Sequence, residues 1–397
     1  MFTIGHVAQA YAWGSLDAVQ SLLGLPVGDV VAEAWYGAHP GGPSPVLGEG
    51  PYRRLDEMLA ADPTVMIGAD VIARFGEGLP YLLKIIAAER PLSLQVHPNL
   101  ARAAEGFDAE EAAGIPRDAP HRSYRDRNHK PELVYALTTF EALSGFRAPR
   151  RAAELLAGLE APLTKSLHAH LAQHPSPEGI RRVFTALLAP ETRPGADAVD
   201  QVAEACRRRL DLGSPSPRAD RTVVQLAEAY PGDPGVVTSL LLNPVTLQPG
   251  EAMFVPAGGV HAYLKGVAVE IMASSDNVLR AGLTPKHIDV PELLRNVDYV
   301  AAPPIRIAPE TFYGSTRVFY APVDDFELSV TDVVDDGVHP LPGRGPRVLL
   351  CLEGAVRVVP ETGEELELVA GRAAFVPPCD GALRVTGRGR IIQADVP

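Results

Sequence analysis

Cysteine is scarce in this chain: Cys206, Cys351 and Cys379 are the only three among 397 residues. They are too few and too scattered for a disulfide framework or a cysteine-built metal cluster, and they read as ordinary reduced thiols. Long hydrophobic runs are missing as well. No stretch reaches the roughly 20 apolar residues that a spanning helix needs, and Met1-Phe-Thr-Ile-Gly-His6 lacks the basic segment and apolar run of a leader. A cytoplasmic protein with no membrane partner is the expectation. There is no excess of positive charge either, since 36 Lys and Arg stand against 49 Asp and Glu, a formal net charge of -13. That balance argues against a nucleic-acid surface. With 46% hydrophobic residues the chain can bury more than one core, so two or three domains are expected.

What is present is a set of polar motifs at the ends of apolar strands. In Pro91-Leu-Ser-Leu-Gln-Val-His-Pro-Asn99, Gln95 and His97 are two residues apart, and in a strand such residues leave the same face and converge on one point. Pro98 holds His97 extended, at a strand end. Alone, the pair also reads as a surface glutamine and a hydrogen-bonded rim histidine. Asn128-His-Lys-Pro-Glu132 leads into the apolar run Leu133-Val-Tyr-Ala-Leu137. Glu132 there is a carboxylate stiffened by Pro131, a hard oxygen ligand or, taken singly, a solvated strand-edge charge. A third segment, Leu247 to Tyr263, has an apolar strand, a Pro/Gly-rich turn and His261 opening a second strand. Lys265-Gly266 suits a two-residue hairpin turn, which would set Leu264 opposite Val267 and His261 opposite Glu270. On that register Glu270, an acid inside Val267-Ala-Val-Glu-Ile-Met272, faces the same cavity as His261.

Together these motifs resemble one family, the zinc-dependent type I mannose-6-phosphate isomerases. The resemblance begins at Tyr11-Ala-Trp-Gly-Ser15 and Ala32-Glu-Ala-Trp-Tyr-Gly-Ala-His-Pro40 and continues through Tyr81-Leu-Leu-Lys-Ile-Ile86. It takes in the three segments above and Leu143-Ser-Gly-Phe146, and ends at Asn277-Val-Leu-Arg-Ala-Gly-Leu-Thr-Pro-Lys286. It implies one divalent metal ion, zinc, held by Gln95, His97, Glu132 and His261. It makes Arg280 an active-site residue and places Glu270, Lys130, Lys84, Ser93 and Lys286 in the pocket. Trp35-Tyr36-Gly37 departs from the family's Trp-Met-Gly pattern, with packing near the mouth as the expected effect. The implied activity is the interconversion of mannose 6-phosphate and fructose 6-phosphate.

That chemistry is reasonable for these residue types. Two imidazoles, a carboxamide and one carboxylate leave a divalent ion net positive, with a further position open, so it is a usable Lewis acid. Aldose–ketose isomerisation through an enediol needs stabilised negative charge on oxygen and a positioned acid/base. Glu270 is the preferred base; Lys130 is the other candidate, equally suited to binding phosphate. A sugar phosphate must be attracted against the global negative field. Lys84, Lys130, Arg280 and Lys286 supply local positive charge, with Ser93 beside them, whereas Arg207-Arg-Arg209 reads as a solvated helix face.

Between about Ala148 and Gly232 the hydrophobic period changes from two to nearly four. Ser176-Pro177 starts a helix with Ile180, Val183, Phe184, Leu187 and Leu188 on one stripe, and a second helix carries Val199, Val202, Cys206 and Leu210. His168, His170 and His174 read as solvent-facing. Near the C-terminus, Gly371-Arg-Ala-Ala-Phe-Val-Pro377 echoes Gly250-Glu-Ala-Met-Phe-Val-Pro256, and the alignment puts Ala382 where His261 stands. The expected fold is therefore mainly β with an α insertion: two cupin- or jelly-roll-like β-barrels plus a helical domain. Residues 1–147 and 233–310 form the metal-binding part, 148–232 the helical insertion and 311–397 a metal-free barrel, in a monomer. A non-catalytic sugar-binding cupin and a metal-dependent cupin dioxygenase are the rival readings. The first has no need of Glu270, Arg280 and Lys130 around a metal, and the second usually lacks a ligand such as Gln95.

Overall fold

Alternation along three neighbouring strands decides how the N-terminal half is built. In the computed structural model, which describes residues 1–48, 50, 53–334 and 337–397, the long strand His261–Ala273 runs antiparallel between Tyr81–Ala88 and Glu132–Ala136. Leu83, Ile85, Leu133, Tyr135, Val269 and Ile271 share one apolar core. Since successive side chains alternate, Lys84, Glu132 and Glu270 take the opposite face. Register brings them close, with Glu270 opposite Lys84 on one side and Met272 opposite Glu132 on the other. The strand Glu33–Tyr36 continues the pattern, with Trp35 opposite Lys84 while Ala34 and Tyr36 join the core. The Tyr36 departure from the family pattern thus points into the core and not at the mouth of the site.

Among the described residues the first sheet has eleven strands. Its path runs Ile305–Ile307, Ala252–Val255, Glu132–Ala136, His261–Ala273, Tyr81–Ala88, Glu33–Tyr36 and Val7–Gln9. A branch leaves the start of the long strand, which pairs there with Gln95–Val96 and Phe140–Phe146. Phe140–Phe146 pairs in turn with Leu242–Leu247. The hairpin expected at Lys265-Gly266 does not form. The chain runs straight on, with Tyr263 opposite Ala142 and Val267 opposite Ala87, so Leu264 does not face Val267 and His261 does not face Glu270. Gly266 uses its positive φ of 120° beside a register shift between Tyr263 and Lys265. The same backbone freedom that suits a turn here bends a continuous strand from one group of partners to another.

Among the described residues the second sheet has nine strands, seven of them on the path Phe2–Ile4, Ala373–Val376, Arg347–Pro360, Leu383–Asp395, Glu327–Val333, Thr316–Phe319 and Glu310–Phe312. Its first strand comes from the far N-terminus, with Phe2 opposite Phe375. Phe319, Leu328, Val330, Val348, Leu350, Phe375 and Ile392 meet the apolar face of the first sheet in one shared core. Neither path closes on itself among the described residues.

Helices fill the middle of the chain, among them Pro149–Leu156, Pro162–Gln173, Pro177–Leu188, Ala196–Asp211 and Pro217–Ala229. The Ser176 hydroxyl accepts the Gly179 N–H at 3.2 Å, a satisfied N-cap. Ile180, Val183, Phe184, Leu187 and Leu188 are buried, in a core that also takes in Val96, Leu143, Ala262 and Leu279 of the first sheet. Arg207 and Arg208 are exposed, but Arg209 is not part of a solvated face. It lies one turn from Cys206 on the inward stripe, and its Nε donates to the buried Asp220 at 2.8 Å. His174 is exposed while His168 and His170 are half-buried, with His168 Nδ1 donating to the Ala153 carbonyl, so only His174 faces solvent fully. No helix among the described residues is long and apolar enough to cross a membrane.

A β-carbon on Gly266 would lie 2.5 Å from the Thr139 carbonyl oxygen and 2.9 Å from Phe140 Cα. Gly266→Ala is therefore expected to destabilise the protein by about 2 kcal/mol or more, seen as a lower urea midpoint. An unchanged midpoint would show that the bend does not require glycine.

Candidate metal centre

His97 ends the short strand Gln95–Val96, and His261 begins the long strand with Gln95 as its direct partner. Gln95 also pairs with Arg280. Directly opposite residues share a face, so His261, Gln95 and Arg280 lie in a row across three strands, with Ser144 opposite His261 on the other side. Glu132 comes in from the neighbouring strand. Its Oε1 lies 3.1 Å from His97 Nε2 and its Oε2 3.3 Å from His261 Nε2. These three are the group of histidine, cysteine and carboxylate side chains, among the described residues, able to hold a metal ion, their ligand atoms within 4.8 Å of one another. All three are buried.

The protons are directed away from the centre. His97 Nδ1 donates to the Asn277 carbonyl at 2.7 Å, and His261 Nδ1 donates to the Gly259 carbonyl at 3.0 Å. Both Nε2 atoms are thereby aimed at the carboxylate, and His97 Nε2 has no hydrogen-bond partner. Burial, followed by Lys130, pulls His97 down to about 4, so it is neutral at pH 7. Burial alone would raise Glu132, but the opposing influences, led by the Lys130 ammonium beside it, hold the carboxyl well below its ordinary range. Two imidazole nitrogens aimed at a carboxylate held ionised form a donor set for a divalent cation.

A second tier of charge lies on the same sheet face. Lys130 Nζ donates to Glu132 Oε1 at 2.6 Å. The Tyr263 hydroxyl donates to Glu132 Oε2 at 3.1 Å. Lys84 Nζ lies 3.1 Å from Glu270 and 3.6 Å from Glu33, with its charge over the Trp35 ring. Burial would lower Lys84, but Glu33 and Glu270 raise it above its usual range. Glu270 is raised, by burial first, while Lys84 opposes the shift. With all five ionised, Lys84 and Lys130 against Glu33, Glu132 and Glu270 leave one negative charge. A divalent ion would turn that balance positive, as binding an anionic sugar requires.

The expected residues are therefore only partly gathered. Glu270 reaches the centre through Tyr263, whose own proton is held far above its ordinary value by burial, Glu132 and Glu270. Lys84 is enclosed by carboxylates, not free at a mouth. Gln95 Nε2 donates to Ser93 Oγ at 3.4 Å. Arg280 and the exposed Lys286 form a basic group with Arg125: burial lowers Arg280 and Lys286, and Arg125 adds to both shifts. Tyr263, Asn277, Glu33 and Arg125 were not singled out in the sequence. Tyr263 had a signal, two residues after His261 on one strand face. Asn277 had none, because its buried side chain works by bonding the backbone of Arg125, Asp126 and Asn128.

Residues 1–149 match the family described as phosphomannose isomerase type I, catalytic domain. The mannose-6-phosphate isomerase of Escherichia coli (strain K12) is 40% identical over 392 residues, covering 97% of each chain. This chain belongs to the mannose-6-phosphate isomerase family. The Homo sapiens mannose-6-phosphate isomerase is 30% identical over 407 residues, covering 95% of this chain and 93% of its own. The mannose 6-phosphate isomerase of Salmonella typhimurium, solved bound to its substrate fructose 6-phosphate and to zinc, superposes with a TM-score of 0.90 at 38% identity. That match covers 100% of this chain and 99% of the other. Mannose-6-phosphate isomerase structures thus bind zinc, and this chain has a group able to hold it.

The His97 shift has a sign that can be tested on the metal-free protein. An unfolded chain takes up the His97 proton near its ordinary value of 6.5, the folded one only near 4. Between those values the unfolded state binds more protons, so the stability contribution is full above 6.5 and is lost as pH falls toward 4. At pH 5 the loss should reach about 2 kcal/mol. Urea midpoints at pH 7 and pH 5 should differ accordingly, and the difference should shrink in His97→Gln.

Proposed function

We propose that this protein interconverts mannose 6-phosphate and fructose 6-phosphate by moving a proton between adjacent carbons through an enediol. The observation that carries the proposal is the pair of imidazole Nε2 atoms converging on buried Glu132, with Arg280 in register two strands away. Gln95, His97, Glu132 and His261 are assigned to hold one zinc ion. Zinc bound there supplies a Lewis acid that polarises the substrate's carbonyl and hydroxyl oxygens.

The remaining steps belong to the chain's own groups. Arg280 stabilises the negative charge that develops on oxygen. Glu270 takes the proton from one carbon and returns it to the next, and its raised pKa suits both directions. Lys84 keeps Glu270 oriented and tunes its basicity, while Lys130 guards the charge state of Glu132 and is the other candidate for proton transfer. Lys286 and Ser93 bind the phosphate, and Arg125 adds to the positive field at that end. Burial of Lys84, Lys130, Glu132 and Glu270 keeps water from competing for the enediol.

The same reading treats the two sheets as cupin-like barrels. Residues 1–147 and 233–310 form the metal-binding unit, 148–232 the helical insertion and 311–397 a metal-free unit to which Phe2–Ile4 lends a strand. It places the enzyme as a cytoplasmic monomer that acts on sugar phosphates and not on nucleic acid, in keeping with its free cysteines and net charge of -13.

Chelation should abolish fructose 6-phosphate formation from mannose 6-phosphate in a coupled assay, and zinc should restore it. Absence of turnover in the zinc-loaded protein would sink the proposal. Glu270→Gln should keep its zinc and lose roughly 10²- to 10⁴-fold in turnover. A zinc-loaded Glu270→Gln enzyme of near-normal rate would pass the role to Lys130.

A further inference from the structure

A cleft of about 580 Å³ opens between the end of the strand Phe140–Phe146, the starts of the helices Pro149–Leu156 and Pro217–Ala229, and the loop through Ala302. None of Gln95, His97, Glu132, His261, Arg280 and Lys286 lines it. Arg147 does, and its Nε is buried without a hydrogen-bond partner. Burial and nearby Arg218 pull this guanidinium down to about 10. A largely buried cation left this way is destabilising unless something supplies the missing acceptor.

The acids nearby are engaged elsewhere. Glu154 pairs with Arg151 at 2.7 Å, Asp220 with Arg209, and Glu141 acts on Arg218. Arg218 itself donates to the Thr246 hydroxyl and has no ion pair among the described residues. Ala148 and Ser216, the N-caps of the two helices, also line the cleft, and neither side chain caps its helix. Free backbone N–H groups at both starts add to the positive potential. The rest of the wall includes the exposed Pro215, Ala302 and Pro303, an apolar surface beside a forked donor.

We propose that this cleft is a second ligand site, which binds a small organic anion by placing its phosphate or carboxylate on Arg147 and its apolar body against Pro215 and Pro303. The planar fork of Arg147 matches either head group with two parallel hydrogen bonds. The site is independent of the sugar-phosphate reading of the metal centre.

Equilibrium dialysis of the zinc-loaded enzyme against phenyl phosphate and, in parallel, benzoate tests it and tells the two head groups apart. At least one probe should bind the wild-type protein. Arg147→Met should weaken that binding tenfold or more, while Lys286→Met should leave it unchanged. Ser216→Asp provides a second variant, since aspartate is a good N-cap and preserves the helix start while placing negative charge in the cleft. It should weaken binding to a similar degree. Failure of both probes to bind, or binding that survives Arg147→Met or Ser216→Asp, would overturn the proposal.

Discussion

Glu132 is buried between the Nε2 atoms of two imidazoles, and much of the N-terminal sheet is organised around that contact. Carbonyls of Asn277 and Gly259 accept the Nδ1 protons, which fixes both rings with Nε2 aimed at the carboxylate. Lys130 and Tyr263 each donate to one carboxylate oxygen. An isolated carboxylate in such a place would become neutral; these donors keep it ionised and aimed. The site is thus defined less by the number of polar residues than by the direction in which each proton points.

Such a cluster can exist only on a sheet whose two faces have different surroundings. The apolar face carries Leu83, Ile85, Tyr135 and Ile271 into a core shared with the second sheet. That burial offsets the cost of ordering a face that holds Lys84, Glu132 and Glu270, where every charge needs a partner. The second sheet has no comparable group of metal-binding side chains among its described residues. Its contribution is to cover the back of the first sheet, and the charged face depends on it indirectly.

Local patterns were the most legible part of the sequence. The two-residue spacing of Gln95 and His97, and the proline before Glu132, are set by strand geometry and need no knowledge of distant partners. The Ser176 helix start and its apolar stripe were readable for the same reason. Glu270 was harder, because positive φ at Gly266 serves a hairpin turn and a strand bend equally well. Which of the two occurs is decided by Ala142 and Ala87, partners far away in sequence. Arg209 misled because three consecutive arginines look uniform, yet only the third falls on the stripe facing Asp220. Asn277 and Arg125 gave no pattern, since their roles arise where separate loops meet.

The strand Phe2–Ile4 has a consequence for how the molecule comes into being. Its partner, Ala373–Val376, lies near the other end of the chain. During synthesis residues 2–4 emerge long before residues 373–376 and must wait for them before they can pair. The first sheet can gather its own strands earlier, but its apolar back stays uncovered until the strands of the second sheet arrive. Completion of the shared core is therefore a late event, and the interval before it is when a growing chain most needs protection from association with its neighbours.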